Sequence, residues 1–220
     1  MDEEHARLRV GKSEPTESRA GSNLENANFA ALDLETTGLD IKGDEIISIA
    51  IIPMTGFQIH FGRSFYSLIK PIKFYDRSIK IHGICPGDLK QAPTFVELCE
   101  RILGMLMDRI IVGFNVIFDI AFLKEHFKKI VTHHRKLDFK YVDIKEIEVW
   151  ILQRTGRPAT YSLNFLDLIE NYQIERGSMH NALSDAYIAA RIFQKQLNIL
   201  SELKIGPHDL SRIGTMRGIF

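Results

Sequence analysis

Continuous runs of apolar residues mark the first third of the chain after a polar start. Residues 29–34 and 45–53 are rich in apolar and β-branched side chains, which is typical of strands buried on both faces. Residues 57–69 alternate more loosely, and residues 53–56 (Pro-Met-Thr-Gly) predict the turn before them. Together these segments predict three strands in an antiparallel meander.

The pattern becomes helical beyond residue 70. We predict a short strand over residues 109–113 and helices over residues 94–107, 115–127, 142–154, 162–171 and 179–200. Thr94 and Glu97 have the spacing of a capping box, which defines the start of the first of these helices. Strands followed by alternating helix and strand predict one α/β domain, in which the meander is extended by parallel strands and covered by helices.

Both ends of the chain lack this periodicity. Residues 1–27 are polar and bury too little apolar surface to offset the entropy of ordering, so we predict a disordered N-terminal tail. Residues 204–220 contain glycine and proline and predict a loose C-terminal tail. The folded domain is predicted to span residues 28–203.

The composition is that of an ordinary globular protein, with 45% hydrophobic and 25% charged residues. No apolar stretch approaches the roughly 18–20 residues that a membrane span needs, so no membrane association is predicted. Cys85 and Cys99 lack the spacing of a metal site and suit a reducing compartment. Together with an N-terminus that lacks an apolar signal core, this predicts a cytoplasmic location.

The formal net charge is zero, with 28 basic and 28 acidic residues. Neutrality argues against a protein that coats nucleic acid non-specifically, but not against a nuclease whose acidic pocket reaches phosphate through metal. Residues 124–140 hold six Lys or Arg against two Asp or Glu. This basic run fits a phosphate-binding track and a solvated surface equally well.

Five residues suit metal-dependent phosphodiester chemistry: Asp33, Glu35, Asp119, His180 and Asp185. Asp33 and Glu35 leave the same face of a strand, where two carboxylates repel each other unless a cation lies between them. The alternative is a pair of exposed acids at a strand edge, which the apolar flanks disfavour. Taken singly, Asp119 and Asp185 are explained by the dipole at a helix start, and His180 by a surface or capping role.

The group as a whole predicts more than its members do. Carboxylates are the preferred ligands of hard cations such as Mg²⁺ and Mn²⁺. Two such ions can clamp the attacking and the leaving oxygen of a phosphate. A nearby histidine can take a proton from water at neutral pH.

Over about residues 28–200 the chain resembles the DnaQ-like exonucleases of the DEDDh class, in the ribonuclease H-like superfamily. Residues 33–38 (Asp-Leu-Glu-Thr-Thr-Gly) are similar to the first motif of that family. Asn115 with Phe118-Asp119 is similar to the second motif, and His180 with Asp185 to the third. The sister class has tyrosine at the position of Asn181, so the histidine class is preferred. The resemblance implies a ribonuclease H-like mixed sheet.

The resemblance also implies a role for each matched residue. Four carboxylates would hold two divalent metal ions, Mg²⁺ or Mn²⁺, with the first of them bridging the pair: Asp33, Glu35, Asp119 and Asp185. His180 would deprotonate the attacking water. Six further residues would bind the terminal nucleotide: Thr36, Thr37, Leu39, His82, Asn115 and Phe118.

The implied activity is a metal-dependent 3′→5′ exonuclease that releases nucleoside monophosphates from single-stranded or mismatched DNA ends, in proofreading or repair. The Thr-Thr-Gly of residues 36–38 favours this branch, which resembles the epsilon subunits of bacterial DNA polymerase III, over exoribonucleases that trim RNA ends. A non-catalytic module that docks on a polymerase or clamp is a third alternative, which gives no chemical reason for the full set of acids.

The implied partners are single-stranded DNA 3′ ends and a DNA polymerase subunit or sliding clamp. Residues 196–200 (Gln-Leu-Asn-Ile-Leu) resemble a short clamp-binding peptide. They fall at the end of the last predicted helix, where leucines are expected in the core, and this disfavours the clamp interpretation.

Overall fold

The computed structural model describes residues 24–73, 78–130, 137–177 and 180–213, and within them six strands and eight α-helices. The strands are β1 (Asn28–Thr36), β2 (Ile46–Thr55), β3 (Gln58–Ile59), β4 (Phe65–Leu68), β5 (Ile110–Gly113) and β6 (Lys140–Asp143). The helices are α1 (Ile79–His82), α2 (Pro86–Leu89), α3 (Phe95–Leu106), α4 (Ile117–Lys128), α5 (Ile144–Thr155), α6 (Phe165–Asn171), α7 (Ala182–Glu202) and α8 (Pro207–Ile213).

The strands form one mixed sheet in the order β3-β2-β1-β5-β6, with β4 also paired to β2. β2 is antiparallel to β1, β3 and β4, whereas β5 is parallel to both β1 and β6. β1 therefore joins the two parts of the sheet, with the antiparallel β2 on one side and the parallel β5 on the other. The predicted α/β fold, an antiparallel meander extended by parallel strands, is confirmed.

A hydrophobic core covers each face of the sheet. Phe29 and Ala31 of β1 pack with α5, α6, α7 and α8 on one face, while Ala30 and Leu32 pack with α3 and α4 on the other. All four side chains are buried, which is why this strand is a continuous apolar run instead of an alternating one. Helix α7 lies against β1, β2 and β5, so its first turn is brought to the end of the central strand.

Two predicted segments differ from the observed ones. Residues 57–69 are divided into the two-residue β3, a 3-10 helix at Phe61–Arg63 and β4. Residues 142–154 were predicted as one helix, but Val142 and Asp143 end β6 and the helix begins at Ile144. The Asp143 side chain accepts the N–H of Lys145 at 2.9 Å, so it caps the helix that follows. The capping box of Thr94 and Glu97 is present as predicted.

Packing extends beyond both predicted tail boundaries. Residues 1–23 and 214–220 lie outside the described residues. Leu24, in a 3-10 helix at Leu24–Asn26, is buried in the core that faces α7. Leu210 and Ile213, three residues apart on α8, are buried in the same core, because a short helix begins at Pro207 where a loose tail was expected. None of the described helices is both long and apolar enough to cross a membrane.

Candidate active site

Asp33 and Glu35 lie near the carboxyl end of β1, on the sheet face that α7 covers. Leu34, between them, packs into the opposite core. Glu35 lies opposite Ser48 of β2 whereas Thr36 lies opposite Ile46, so β2 carries one extra residue at this point. Such a bulge bends a strand and redirects its side chains. The two carboxylates therefore stand where the regular sheet ends.

Asp185, in the first turn of α7, joins this pair. Carboxylate oxygens of Asp33, Glu35 and Asp185 all lie within 4.8 Å of one another. One oxygen of Asp185, Oδ2, accepts the backbone N–H of His180 at 3.0 Å. The other, Oδ1, is buried and has no hydrogen-bond partner among the described residues. The side chain of His180 is exposed, so the predicted base stands at the rim of the acidic group.

Asp119 lies in the first turn of α4 and is only 7% exposed. Its carboxylate is outside the closest group of three, yet near enough to Asp33 to help raise the pKa of that residue. Backbone hydrogen bonds from Asp119 itself and from Leu34 favour its ionised form. The fold therefore brings the four predicted acids together from three separate elements: β1, α4 and α7.

The environment of these acids opposes negative charge. Burial, followed by the charges of Asp119, Asp185 and Glu35, raises the pKa of Asp33 well above its usual value. Burial and the charge of Asp185 raise the pKa of Glu35 to about 7. Burial also raises the pKa of Asp119 and of Asp185. Carboxylates in this situation bind protons more readily than exposed ones do, and a cation at the same place would favour their ionised form.

The donor set fits a divalent metal ion. Hard cations prefer carboxylate oxygens, and here three such oxygens converge. The unpartnered Oδ1 of Asp185 is a buried acceptor that a cation would satisfy. Within the described part of the chain, no Lys or Arg forms a salt bridge with any of these acids. The ion pair that is present there joins Arg176 to Glu170.

Thr36 and Thr37 use their hydroxyl groups to shape the loop after β1. Thr37 is 1% exposed, and its hydroxyl donates to Oδ1 of Asp44 at 2.9 Å and accepts the N–H of Glu45 at 3.0 Å. The Thr36 hydroxyl donates to the carbonyl oxygen of Gly38 at 2.6 Å. These contacts account for both threonines without a ligand, and their predicted contact with a nucleotide stays a prediction.

Three other residues predicted to contact the nucleotide are at least partly exposed: Leu39 in this loop, and Asn115 and Phe118 near Asp119. Leu39, which follows the two threonines, is 80% exposed. Asn115 is exposed in a left-handed conformation with φ of 51°, and Phe118 is partly buried with its ring 4.9 Å from that of Phe122. Asn115 and Phe118 flank the start of α4, which also carries Asp119.

Burial, followed by the charge of His180, lowers the pKa of His82, so the two histidines lie near each other. Nδ1 of His82 accepts the N–H of Ile84 at 2.9 Å. In the neutral ring the proton therefore resides on Nε2, which is buried without a partner among the described residues. His82 thus holds an unused hydrogen-bond donor next to the predicted base.

Two further acids in this region were missed by the sequence analysis. Asp143 is 7% exposed, and its Oδ2 accepts the N–H of Val116 at 3.0 Å. Asp44 holds the loop after β1, since its second oxygen accepts the N–H of Asp40 at 2.9 Å. An aspartate between an apolar run and a helix signals an N-cap, which could have identified Asp143. No comparable signal marks Asp44.

The segment that resembles a clamp-binding peptide lies inside the domain. Gln196, Leu197 and Leu200 are fully buried, and Nε2 of Gln196 donates to the carbonyl oxygen of Ile144 at 2.8 Å. Burial in the core explains these residues.

The basic run at residues 124–140 is described only in part, because residues 131–136 lie outside the described residues. Lys124 and Lys128 are exposed on α4, which suits both a phosphate-binding track and a solvated surface.

Comparison with known proteins agrees with the motifs. The RNase T family model, described as Exonuclease, matches residues 30–193. A DNA polymerase III subunit epsilon from Aquifex aeolicus is 31% identical over 193 residues, which cover 87% of this chain and 90% of that protein. A PolC-type DNA polymerase III from Thermotoga petrophila is 33% identical over 199 residues, which cover 89% of this chain but only 14% of that polymerase.

A solved structure shows the same fold. E. coli Exonuclease I in complex with a dT13 oligonucleotide superposes with a TM-score of 0.68 at 18% identity, over 81% of this chain and 43% of that one. At 18% identity the likeness concerns the fold alone. The family match and the identity to an epsilon subunit, together with the three motifs, show that the chain belongs to the DnaQ-like 3′→5′ exonuclease family.

Proposed function

We propose that this chain removes nucleoside monophosphates from the 3′ ends of single-stranded or mismatched DNA, with two divalent metal ions, Mg²⁺ or Mn²⁺, at the acidic group. The observation that carries the proposal is the convergence of Asp33, Glu35 and Asp185 within 4.8 Å, with Asp119 beside them. Burial and mutual repulsion raise the pKa values of these carboxylates, as is common at functional sites, and a bound cation would offset the repulsion.

Each residue of the site has a definite task in this proposal. The four carboxylates would hold the metal ions, and Asp33 would contact both. Metal ions in such a site polarise the phosphate and lower the pKa of water. His180 would accept the proton of the attacking water, because its imidazole is exposed and lies close enough to Asp185 for the two charges to interact. The hydrogen bond from the His180 backbone holds the Asp185 carboxylate against the main chain at His180.

The end of the substrate would enter between the loop after β1 and the start of α4. The exposed side chain of Leu39 would pack on the terminal base, a contact that tolerates any sequence. Phe118 and Asn115 would line the other side, and Nε2 of His82 would donate to the nucleotide. Unpairing a matched end costs free energy before chemistry begins, so frayed ends would react first.

RNA is the second candidate substrate. The identity to an epsilon subunit and to part of a PolC-type polymerase supports DNA, as does the Thr-Thr-Gly sequence at residues 36–38. Those relatives also support association with a DNA polymerase. A sliding clamp would have to bind elsewhere than residues 196–200, because Gln196, Leu197 and Leu200 are buried in the core. A cytoplasmic location belongs to the same proposal.

DNA and RNA oligonucleotides of one sequence, labelled at the 5′ end, test polarity and substrate together. The parent protein with Mn²⁺ should give a ladder that shortens from the 3′ end, faster on DNA than on RNA. Asp119→Asn is the matched control for a contaminating nuclease and should leave both oligonucleotides intact. Internal fragments or shortening from the 5′ end would reject the proposal, and faster digestion of RNA would favour the second candidate.

A further inference from the structure

Asp143 links the starts of two helices through one buried carboxylate. It ends β6, opposite Gly113 of β5, and is 7% exposed. Its Oδ1 accepts the N–H of Lys145 at 2.9 Å and thereby caps α5. Its Oδ2 accepts the N–H of Val116 at 3.0 Å, directly before α4. Hydrogen bonds of this kind, from backbone N–H groups to an ionised acceptor, are among the stronger ones in proteins.

The start of α4 depends on this outside acceptor. Val116 occupies the N-cap position, and its apolar side chain forms no capping hydrogen bond. Asn115, immediately before it, adopts φ of 51°, a left-handed conformation that asparagine adopts more readily than most residues other than glycine. Asp143 therefore supplies from β6 a polar contact that the sequence of α4 does not provide.

Close packing makes the position of this turn specific. Val116 is fully buried, and a Cβ atom added to Gly113 would lie 2.9 Å from both the carbonyl oxygen of Leu32 and Cγ2 of Val116. The ends of β1 and β5 and the start of α4 are thus in direct contact. Asp119 follows Val116 by three residues, so a movement of Val116 carries the Asp119 carboxylate with it.

Asp143 is suited to positioning and not to binding metal. Both of its oxygens are engaged by backbone N–H donors, whereas the converging oxygens belong to Asp33, Glu35 and Asp185. It is nevertheless close to the site, because its charge contributes to raising the pKa of Asp119.

We propose that Asp143 is a positioning residue that fixes the first turn of α4 and so sets the place of Asp119 in the metal site. The proposal rests on the proposed function, in which Asp119 is a metal ligand. Residues that orient metal ligands typically change metal affinity or activity by about 10–100-fold when they are replaced. We expect a loss of that size for Asp143→Ala, although Asp143 touches neither metal nor substrate.

Titration of the apo-protein with Mn²⁺, followed by the electron paramagnetic resonance signal of free Mn²⁺, tests this without any nuclease assay. Asp143→Ala should weaken Mn²⁺ binding about 10–100-fold at a temperature where circular dichroism shows a folded protein. Thr94→Ala is the matched control, since it removes the cap of α3, a helix that carries no site residue, and should bind Mn²⁺ like the parent. Asp143→Asn retains one acceptor oxygen, and its affinity should fall between those of the parent and the alanine variant.

The outcomes separate the two proposals. If Asp119→Asn weakens Mn²⁺ binding and both Asp143 variants bind like the parent, the positioning role is rejected while the metal site stands. If Asp119→Asn also binds like the parent, the metal assignment of Asp119 in the proposed function fails, and the positioning role fails with it. Should Asp143→Ala not fold, Asp143→Asn decides: affinity equal to that of the parent overturns the proposal, and reduced affinity supports it.

Discussion

The backbone N–H of His180 donates a hydrogen bond to Oδ2 of Asp185 at 3.0 Å, which joins the predicted base to the last predicted metal ligand through the main chain. His180 adopts φ of 58°, in the left-handed region, and its imidazole remains exposed. A change of the His180 side chain therefore leaves the hydrogen bond to Asp185 available. The contribution of the imidazole can be measured separately from that of the carboxylate.

His180→Asn should slow hydrolysis by about 10²–10⁴-fold, the usual contribution of a general base. Asparagine tolerates the left-handed conformation, so the loop and the Asp185 contact should persist. Single-turnover rates on a labelled oligonucleotide, together with a Mn²⁺ titration, check this. Mn²⁺ affinity should equal that of the parent. A variant that hydrolyses DNA as fast as the parent would make His180 a structural residue only.

The metal-free protein should lose stability as the pH rises towards neutrality. The pKa of Glu35 is raised from 4.5 to about 7, and that of Asp143 from 3.8 to about 6. Between the lower and upper values the folded state binds more protons than the unfolded state, so the free energy of unfolding falls with rising pH. Chemical denaturation in EDTA across this window measures it, and stability that rises throughout would contradict the assigned burial.

Metal binding should reverse this dependence. A metal ion requires ionised carboxylates, so Mn²⁺ must displace protons below pH 7 and binds more tightly as the pH rises. The increase in Tm caused by Mn²⁺ should accordingly be larger above pH 7 than near pH 4.5. In Glu35→Gln much of the pH dependence should disappear. An equal Tm increase at both pH values would argue that Mn²⁺ binds elsewhere.

The acids that the fold brings together could be singled out from the sequence because their residue types and local spacing are visible there. Asp33 and Glu35 share a strand face whatever the strand pairs with, and His180 and Asp185 are near neighbours in the chain. The N-cap position of Asp143 has a local signal, but no local signal reveals the hydrogen bond that it accepts from the N–H of Val116, 27 residues away. β3 and β4 were predicted as one strand because both pair with β2, and local alternation does not reveal where such pairing is interrupted.

Leu39→Ala should weaken substrate use and leave metal binding unchanged. The side chain is 80% exposed and belongs to none of the metal-binding elements. Loss of a contact with the terminal base of about 1 kcal/mol corresponds to roughly fivefold in kcat/KM. Steady-state kinetics on single-stranded DNA measure it, with Val96→Ala on α3, another exposed apolar residue, as the control. Identical effects of the two variants would remove Leu39 from the binding surface.

Leu210→Ala should lower the free energy of unfolding by about 2–5 kcal/mol, as expected for a large-to-small change in a packed core. Leu210 is fully buried on α8, which extends the domain beyond its predicted limit at residue 203. Leu166→Ala, at a position that is 42% exposed, is the matched control and should have a much smaller effect. Equal stability of the two variants in urea would show that α8 is not part of the cooperative core.

Release of labelled mononucleotide in EDTA, and again after Mn²⁺ or Mg²⁺ is added back, tests most directly whether the carboxylates act through bound metal. The parent protein should be inactive in EDTA and recover fully with either ion, because hydrolysis depends on cations held by these acids. Asp33→Asn should remain inactive at every metal concentration, since loss of one shared ligand disables the group as a unit. Full release in EDTA, or an Asp33→Asn variant as fast as the parent, would contradict the metal-dependent mechanism.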